Sequence, residues 1–308
     1  MSKVAFVFPG QGSQTVGMLA DLANNDTVRN TFAEASEVLG YDLWALVSEG
    51  PADQLNQTDK TQPALLTSSV ALYRLWLEKG GEAPALMAGH SLGEYSALVC
   101  AGVLPFKAAV KLVEQRGQFM QQAVPAGEGA MSAIIGLSDE DILAACEKAA
   151  EGEVVSAVNF NSPGQVVIAG ATAAVNRANE LCKEAGAKRA LPLPVSVPSH
   201  CALMKPAAEK LADVLNSIDV SAPNTPVINN VDVAKADTAE AIQDALVRQL
   251  YMPVRWTESV QAIVAEGATE IVEMGPGKVL SGLIKRIDRS ASCVAVNDLA
   301  SLENALTK

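Results

Sequence analysis

Ala85-Leu86-Met87-Ala88-Gly89-His90-Ser91-Leu92-Gly93-Glu94-Tyr95 is the stretch that decides the fold. Its first four residues read as a short buried strand, and a helix-like run begins just after Ser91. Between them, Gly89 to Gly93 fits the pattern G-x-S-x-G, whose required setting is a strand before it and a helix after it. Glycines flank the serine because a sharp strand-to-helix turn leaves no room for side chains. Such a turn lifts the hydroxyl into the open and aims helix N–H groups at an oxyanion formed beside it. Ser91 is therefore a candidate nucleophile; the bland alternative is a glycine-rich turn with a capping serine.

Working outward, the flanks alternate strand and helix. Val4 to Phe8 is an apolar run ending in the tight loop Pro9-Gly10-Gln11-Gly12. A long helix is expected over 61–79, with Leu65, Leu72, Leu75 and Trp76 forming much of its apolar face. Another is expected over 105–124, where Phe106, Val110, Val113, Gly117, Met120 and Val124 recur at helical spacing. Such alternation favours a mostly parallel sheet covered on both faces.

The middle of the chain reads differently. A strand over 129–137 is followed by Ser138-Asp139-Glu140-Asp141, which opens a helix with N-cap chemistry. Residues 153–160 and 165–169 are strands joined by the turn Ser162-Pro163-Gly164. A helix over 172–185 and an extended run over 188–197 complete a β-α-β-β-α-β order, the ferredoxin-like pattern. Beyond Pro198 the alternation resumes: helix 202–218, strand 226–231, helices 239–251 and 256–267, strand 271–274 ending at Gly275-Pro276-Gly277, and helix 278–288. The fold class is thus α/β, with a discontinuous core (1–126 and 198–308) and an inserted ferredoxin-like subdomain (127–197).

A serine needs a base to become a good nucleophile, and the chain has two histidines. His90 adjoins the serine, so its side chain points elsewhere from the elbow. His200, in Val197-Pro198-Ser199-His200 at the return from the insertion, is left as the partner. No acid stands out as a third member. Asp139, Glu140, Asp141 and Glu147 sit mostly on a solvated helix face, so a neutral group is expected to orient the histidine. Arg116 falls at the flank of an apolar stripe. From spacing alone a snorkelling arginine is favoured; the functional alternative is a guanidinium fork on a substrate carboxylate.

Composition removes several classes. With 49% hydrophobic and 19% charged residues, the chain can bury a core of ordinary size. A net charge of -12 without a basic run argues against nucleic acid as a partner. The five cysteines are scattered and odd in number, which fits a reducing compartment rather than a disulfide framework. Neither a signal peptide nor a membrane-length apolar stretch is found, so a cytoplasmic enzyme is expected. Metal-ligand spacing and a completed G-x-G-x-x-G are both missing. Cys201 beside His200 reads as a small buried cysteine.

Several motifs occur in one order: Phe8-Pro9-Gly10-Gln11-Gly12-Ser13-Gln14, Gln62-Pro63-Ala64, Gly89 to Tyr95, Gln115-Arg116-Gly117, Val197 to His200 and Gly275-Pro276-Gly277. Together they resemble the malonyl-CoA:acyl carrier protein transacylases of bacterial fatty acid synthesis, in their free-standing form, over essentially the whole chain. The resemblance implies a hydrolase-like α/β core with the ferredoxin-like insertion, Ser91 as nucleophile and His200 as base. It also implies the backbone N–H groups of Gln11 and Leu92 as oxyanion hole, Arg116 as malonyl carboxylate clamp, and the Gln249 main-chain carbonyl as the group orienting His200. Implied substrates are malonyl-CoA and phosphopantetheinylated acyl carrier protein, with no cofactor, and a monomer. Docking an acidic carrier protein on an acidic enzyme calls for a local basic patch, for which Lys285 and Arg286, with Lys188 and Arg189 across the cleft, are the candidates. Two rivals stay open: a serine hydrolase such as a thioesterase, and a non-catalytic protein that keeps the fold to bind acyl thioesters.

Overall fold

The computed structural model describes residues 3–195 and 197–307. Met1, Ser2 and Lys308, which the expected domain bounds take in, lie outside the described residues, as does Ser196 of the expected extended run. In chain order the core opens with β1 (Lys3–Phe8), α1 (Asp26–Leu39), α2 (Leu43–Glu49), α3 (Ala52–Leu55), α4 (Thr58–Glu78), β2 (Leu86–Gly89), α5 (Leu92–Cys100) and α6 (Phe106–Ala123). The middle holds β3 (Gly129–Ile135), α7 (Asp139–Ala150), β4 (Val155–Ser162), β5 (Gln165–Ala171), α8 (Thr172–Glu184) and β6 (Arg189–Pro192). The remainder is α9 (Lys205–Leu215), β7 (Val227–Ile228), α10 (Ala239–Gln249), α11 (Trp256–Ala265), β8 (Ala268–Met274), α12 (Val279–Ile287), β9 (Ser292–Val296) and α13 (Leu299–Leu306).

These strands form two separate sheets. The larger runs β7-β2-β1-β8-β9, and every neighbouring pair in it is parallel. Its central strand is apolar on both sides, as a parallel sheet covered by helices requires. Phe6 and Phe8 enter a core built with α1, α4, α5 and α6, while Ala5 and Val7 face α11 and α12. The smaller sheet, β4-β5-β3-β6, is antiparallel throughout. That order is the ferredoxin-like one, with α7 and α8 packed on one face. The core chain also bonds to the edge of this sheet. Val254 N–H donates to Val158 O at 2.8 Å and Phe160 N–H to Val254 O at 3.0 Å.

Several expected elements have different bounds in the structure. The 188–197 run is strand only over Arg189–Pro192; Leu193 N–H still donates to Met131 O at 2.9 Å, and Pro194 beyond it supplies no N–H to a ladder. The 226–231 strand shrinks to Val227–Ile228. Its continuation is drawn off the sheet because Asn230 N–H donates to the Glu94 carboxylate instead. The helix expected from 61 starts at Thr58, with Pro63 inside it, and the one expected over 202–218 begins as a 3-10 turn and ends at Leu215. Among the described residues no helix is long and apolar enough to cross a membrane. The five cysteines are free thiols.

Candidate active site

The elbow sits where β2 turns into α5. Ser91 has φ 51° and ψ −109°, a left-handed region that non-glycine residues enter at a cost and that strand-to-helix nucleophile turns commonly use. Its two glycines are needed for closeness. A Cβ on Gly89 would lie 1.9 Å from the Gly93 carbonyl carbon, and one on Gly93 would lie 2.0 Å from Phe8 O. The Pro9–Gly12 loop presses on the same turn, because a Cβ on Gly10 would meet His90 O at 2.5 Å. Asn230 clamps the elbow from the end of β7: its Oδ1 accepts Ser91 N–H at 2.8 Å and its Nδ2 donates to Gly89 O at 2.6 Å.

His200 meets the serine from the return loop after the small sheet. Its Nε2 is 2.8 Å from Ser91 Oγ, and its Nδ1 is 2.7 Å from Gln249 O. A carbonyl can only accept, so the proton sits on Nδ1 and the Nε2 lone pair faces the serine hydroxyl. His200 is itself in the left-handed region, φ 65°, and its N–H is held by Leu250 O at 3.0 Å. Burial first, and the Arg116 charge second, push the imidazole pKa down to about 3. The ring is therefore neutral at physiological pH and free to take a proton. The acids Asp139, Glu140, Asp141 and Glu147 are exposed on α7, so a backbone carbonyl occupies the place an acid takes in a triad.

His90 points away from the serine. Its Nε2–H donates to Asn161 Oδ1 on β4 at 2.7 Å, and its ring packs against Trp256. Burial lowers its pKa, keeping it neutral. It thereby ties the elbow to the small sheet.

Arg116 corrects the reading that spacing favours. It does not snorkel: it is 1% exposed. Gly117 lets α6 touch α4, since a Cβ there would come within 2.6 Å of Asp59 Cα, and this brings Gln62 to the guanidinium. Nη1 donates to Gln62 Oε1 at 2.7 Å, and Nη2 to Gln249 Oε1 at 3.1 Å and Ser91 Oγ at 3.4 Å. The Tyr95 ring lies 5.2 Å away, and Nε has no partner among the described residues. A buried cation held by neutral amides, with one donor unpartnered, is of a kind that can pair with a carboxylate.

Leu92 begins α5, so its N–H belongs to the unsatisfied first turn. Neither it nor the Gln11 N–H has a hydrogen-bond partner among the described residues. The Gln11 side chain is pinned by Thr58 Oγ1, which donates to Oε1 at 2.7 Å. Among the described residues no three His, Cys, Asp or Glu side chains are grouped to hold a metal ion. Cys201 is buried, its thiol donating to Pro198 O at 3.2 Å. Two of the basic candidates, Arg286 and Arg189, meet at one end of the small sheet. Arg286 Nη1 donates to Gln165 Oε1 at 2.9 Å, and the register runs from Gln165 through Ile135 to Arg189 on adjacent strands.

Reading the sequence alone did not single out Asn230, Gln62, Glu94 or Asn161. Their partners lie far along the chain, 139 positions in the case of Asn230 and Ser91. The local signals are Gln62-Pro63-Ala64 and the Gly89 to Tyr95 stretch that contains Glu94, motifs that by themselves assign neither residue a role.

An α/β core with a Ser–His pair at a strand–helix elbow defines the class of serine-dependent acyl-transferring and acyl-hydrolysing enzymes. Within that class, this chain belongs to the acyl transferase domain family, which matches residues 5–303. It is 66% identical to the malonyl CoA-acyl carrier protein transacylase of Salmonella typhimurium, over 100% of both chains. Among solved structures it is similar to an acyl carrier protein S-malonyltransferase from Vibrio cholerae, with TM-score 0.97, 68% identity and coverage of 99% of this chain and 100% of that one. A malonyl-transacylase solved in complex with a holo type II polyketide synthase acyl-carrier protein is also similar, with TM-score 0.98, 65% identity and 99% of each chain covered.

Proposed function

We propose that this chain transfers a malonyl group from malonyl-CoA to the phosphopantetheine thiol of acyl carrier protein, through a malonyl ester on Ser91, for fatty acid elongation. The observation that carries the reading is Arg116, buried against neutral amides with Nη2 3.4 Å from Ser91 Oγ. A hydrolase of neutral esters has no use for such a cation beside its serine.

In the first half-reaction His200 Nε2 takes the Ser91 proton as Oγ attacks the thioester carbonyl. The backbone N–H groups of Gln11 and Leu92 hold the oxyanion, and loss of one such donor typically costs about 10²–10³ in rate. The carbon–sulfur bond breaks, and the CoA sulfur leaves with the proton that His200 returns. In the second half-reaction His200 accepts the carrier protein's thiol proton, and the thiolate attacks the ester. Ser91 Oγ leaves and recovers that proton. The Gln249 main-chain carbonyl stabilises the imidazolium in both halves, and Arg116 holds the malonyl carboxylate throughout. The chemistry needs no cofactor. The two half-reactions share one site, so acyl-enzyme freed of CoA is expected to pass its malonyl group to holo-carrier protein. Discharge to free malonate alone would make the chain a thioesterase instead.

The insertion, residues 127–197, acts as a small subdomain over a core of 1–126 and 198–308. Carrier protein docks on Lys285, Arg286, Lys188 and Arg189, all exposed. This patch offsets the repulsion between two acidic proteins. The Lys285→Glu plus Arg286→Glu variant is expected to weaken apparent affinity for carrier protein at low salt by about tenfold or more while leaving malonyl-CoA loading unchanged. Unchanged affinity would remove the patch from the account. The enzyme acts as a monomer in the cytoplasm, consistent with its free thiols.

A further inference from the structure

Glu94 follows the elbow directly, lies 2% exposed on α5, and has no part in the proton transfers above. Its Oε2 accepts from the Asn230 backbone N–H at 2.9 Å and from Gln249 Nε2 at 2.9 Å. The first donor is fixed by the backbone, so the atom standing opposite it must be an acceptor. An acceptor there admits only the NH₂ end of the Gln249 amide. The second hydrogen of that NH₂ goes to Ser91 O at 3.1 Å, with Asn230 Oδ1 further off at 3.4 Å. The carbonyl end of the amide is thereby turned to Arg116 Nη2, 3.1 Å away. A flipped amide would oppose two acceptors at Glu94 and two donors at Arg116. The guanidinium would keep Gln62 at one nitrogen and lose its hold at the nitrogen nearest the serine.

We propose that Glu94 is a positioning residue that sets acyl-group selectivity by fixing the Gln249 amide so that Arg116 stays turned to Ser91. The inference rests on the malonyl reading. What is required of residue 94 is an acceptor at the right place, not a charge. Burial lifts the Glu94 pKa to about 7, against the hydrogen bonds from Asn230 and Gln249 and the attraction of Arg116, so a neutral acid already occurs there near physiological pH. A glutamine can present the same acceptor, because the Asn230 N–H dictates which end of its amide faces inward.

Three variants separate positioning from packing: Glu94→Gln keeps the acceptor, Glu94→Met keeps the volume without it, and Glu94→Asp draws it back by a methylene. The measurement is the rate of Ser91 loading from malonyl-CoA and from acetyl-CoA, followed by intact mass. Glu94→Gln is expected to hold the malonyl-to-acetyl ratio within about threefold of wild type, and Glu94→Met to lower it about tenfold or more, the size of one lost buried hydrogen bond. Glu94→Asp should follow Glu94→Met, and it decides the matter if the methionine variant does not fold. Equal losses of both acyl groups in the methionine and aspartate variants, leaving the ratio unchanged, would overturn the proposal. So would a glutamine variant as unselective as the methionine one. Failure of the wild type to load malonate at all would defeat the malonyl reading itself, a result distinct from either.

Discussion

A His200→Asn enzyme is expected to acylate Ser91 between about 10² and 10⁴ times more slowly than wild type, the range that general-base catalysis supplies. Asparagine suits the test because it tolerates the left-handed backbone that His200 adopts at φ 65°. It fills part of the same space and cannot take the serine proton. His200 Nε2 is 2.8 Å from Ser91 Oγ, and among the described residues no other titratable side chain hydrogen-bonds that oxygen except Arg116, whose guanidinium donates and has no lone pair to accept with. The loss should therefore appear equally with malonyl-CoA and acetyl-CoA. Single-turnover loading followed by intact mass is the measurement, with circular dichroism to establish the fold. Loading within about fivefold of wild type would mean that some other base activates Ser91.

Substitution of Arg116 should instead divide the two acyl groups. Arg116→Ala leaves a malonyl carboxylate buried without a partner, and breaking a buried ion pair in that way costs about 3–5 kcal/mol, or roughly 10²–10⁴ in rate. Arg116→Lys keeps the charge and loses the planar fork that Gln62 and Gln249 hold from two sides. A smaller loss, about 10–100-fold, is expected for malonyl-CoA. Acetyl-CoA, with no carboxylate to place, should load both variants at close to the wild-type rate. Parallel loading rates for the two thioesters give the answer. Near-normal malonyl loading of the lysine variant would sink the clamp.

How far the sequence could lead is visible at individual residues. The elbow was legible because its constraints are local: Gly89, Ser91 and Gly93 follow an apolar strand and open a helix, and steric closeness alone explains the glycines. His200 was legible by scarcity, since His90 could be set aside as the serine's neighbour. The β-α-β-β-α-β order of the insertion was legible from alternation and turn residues, and the small sheet has the strand order that pattern implies. Arg116 was not legible from spacing. A helical wheel places it at the flank of an apolar stripe, but what buries it are Gln62, Tyr95 and Gln249, two of them 54 and 133 positions away. The helices α1 to α3 drew no reading, although Asn25 and Asp42 cap two of them and Gly40 ends the first. Those cap signals were present in the sequence. The short strand β7 could not have been delimited, because what ends it is the pull of a distant carboxylate on Asn230.

The central claim is that Ser91 carries a carboxylated acyl group in transit, and one measurement reaches it directly. Wild-type protein and a Ser91→Ala control are mixed with malonyl-CoA and, separately, with acetyl-CoA, and intact masses are recorded over time. A stable adduct of one malonyl group on the wild type, far slower to form from acetyl-CoA and missing in the control, is the predicted result. Free malonate accumulating with no adduct, or an adduct that persists in Ser91→Ala, would contradict it.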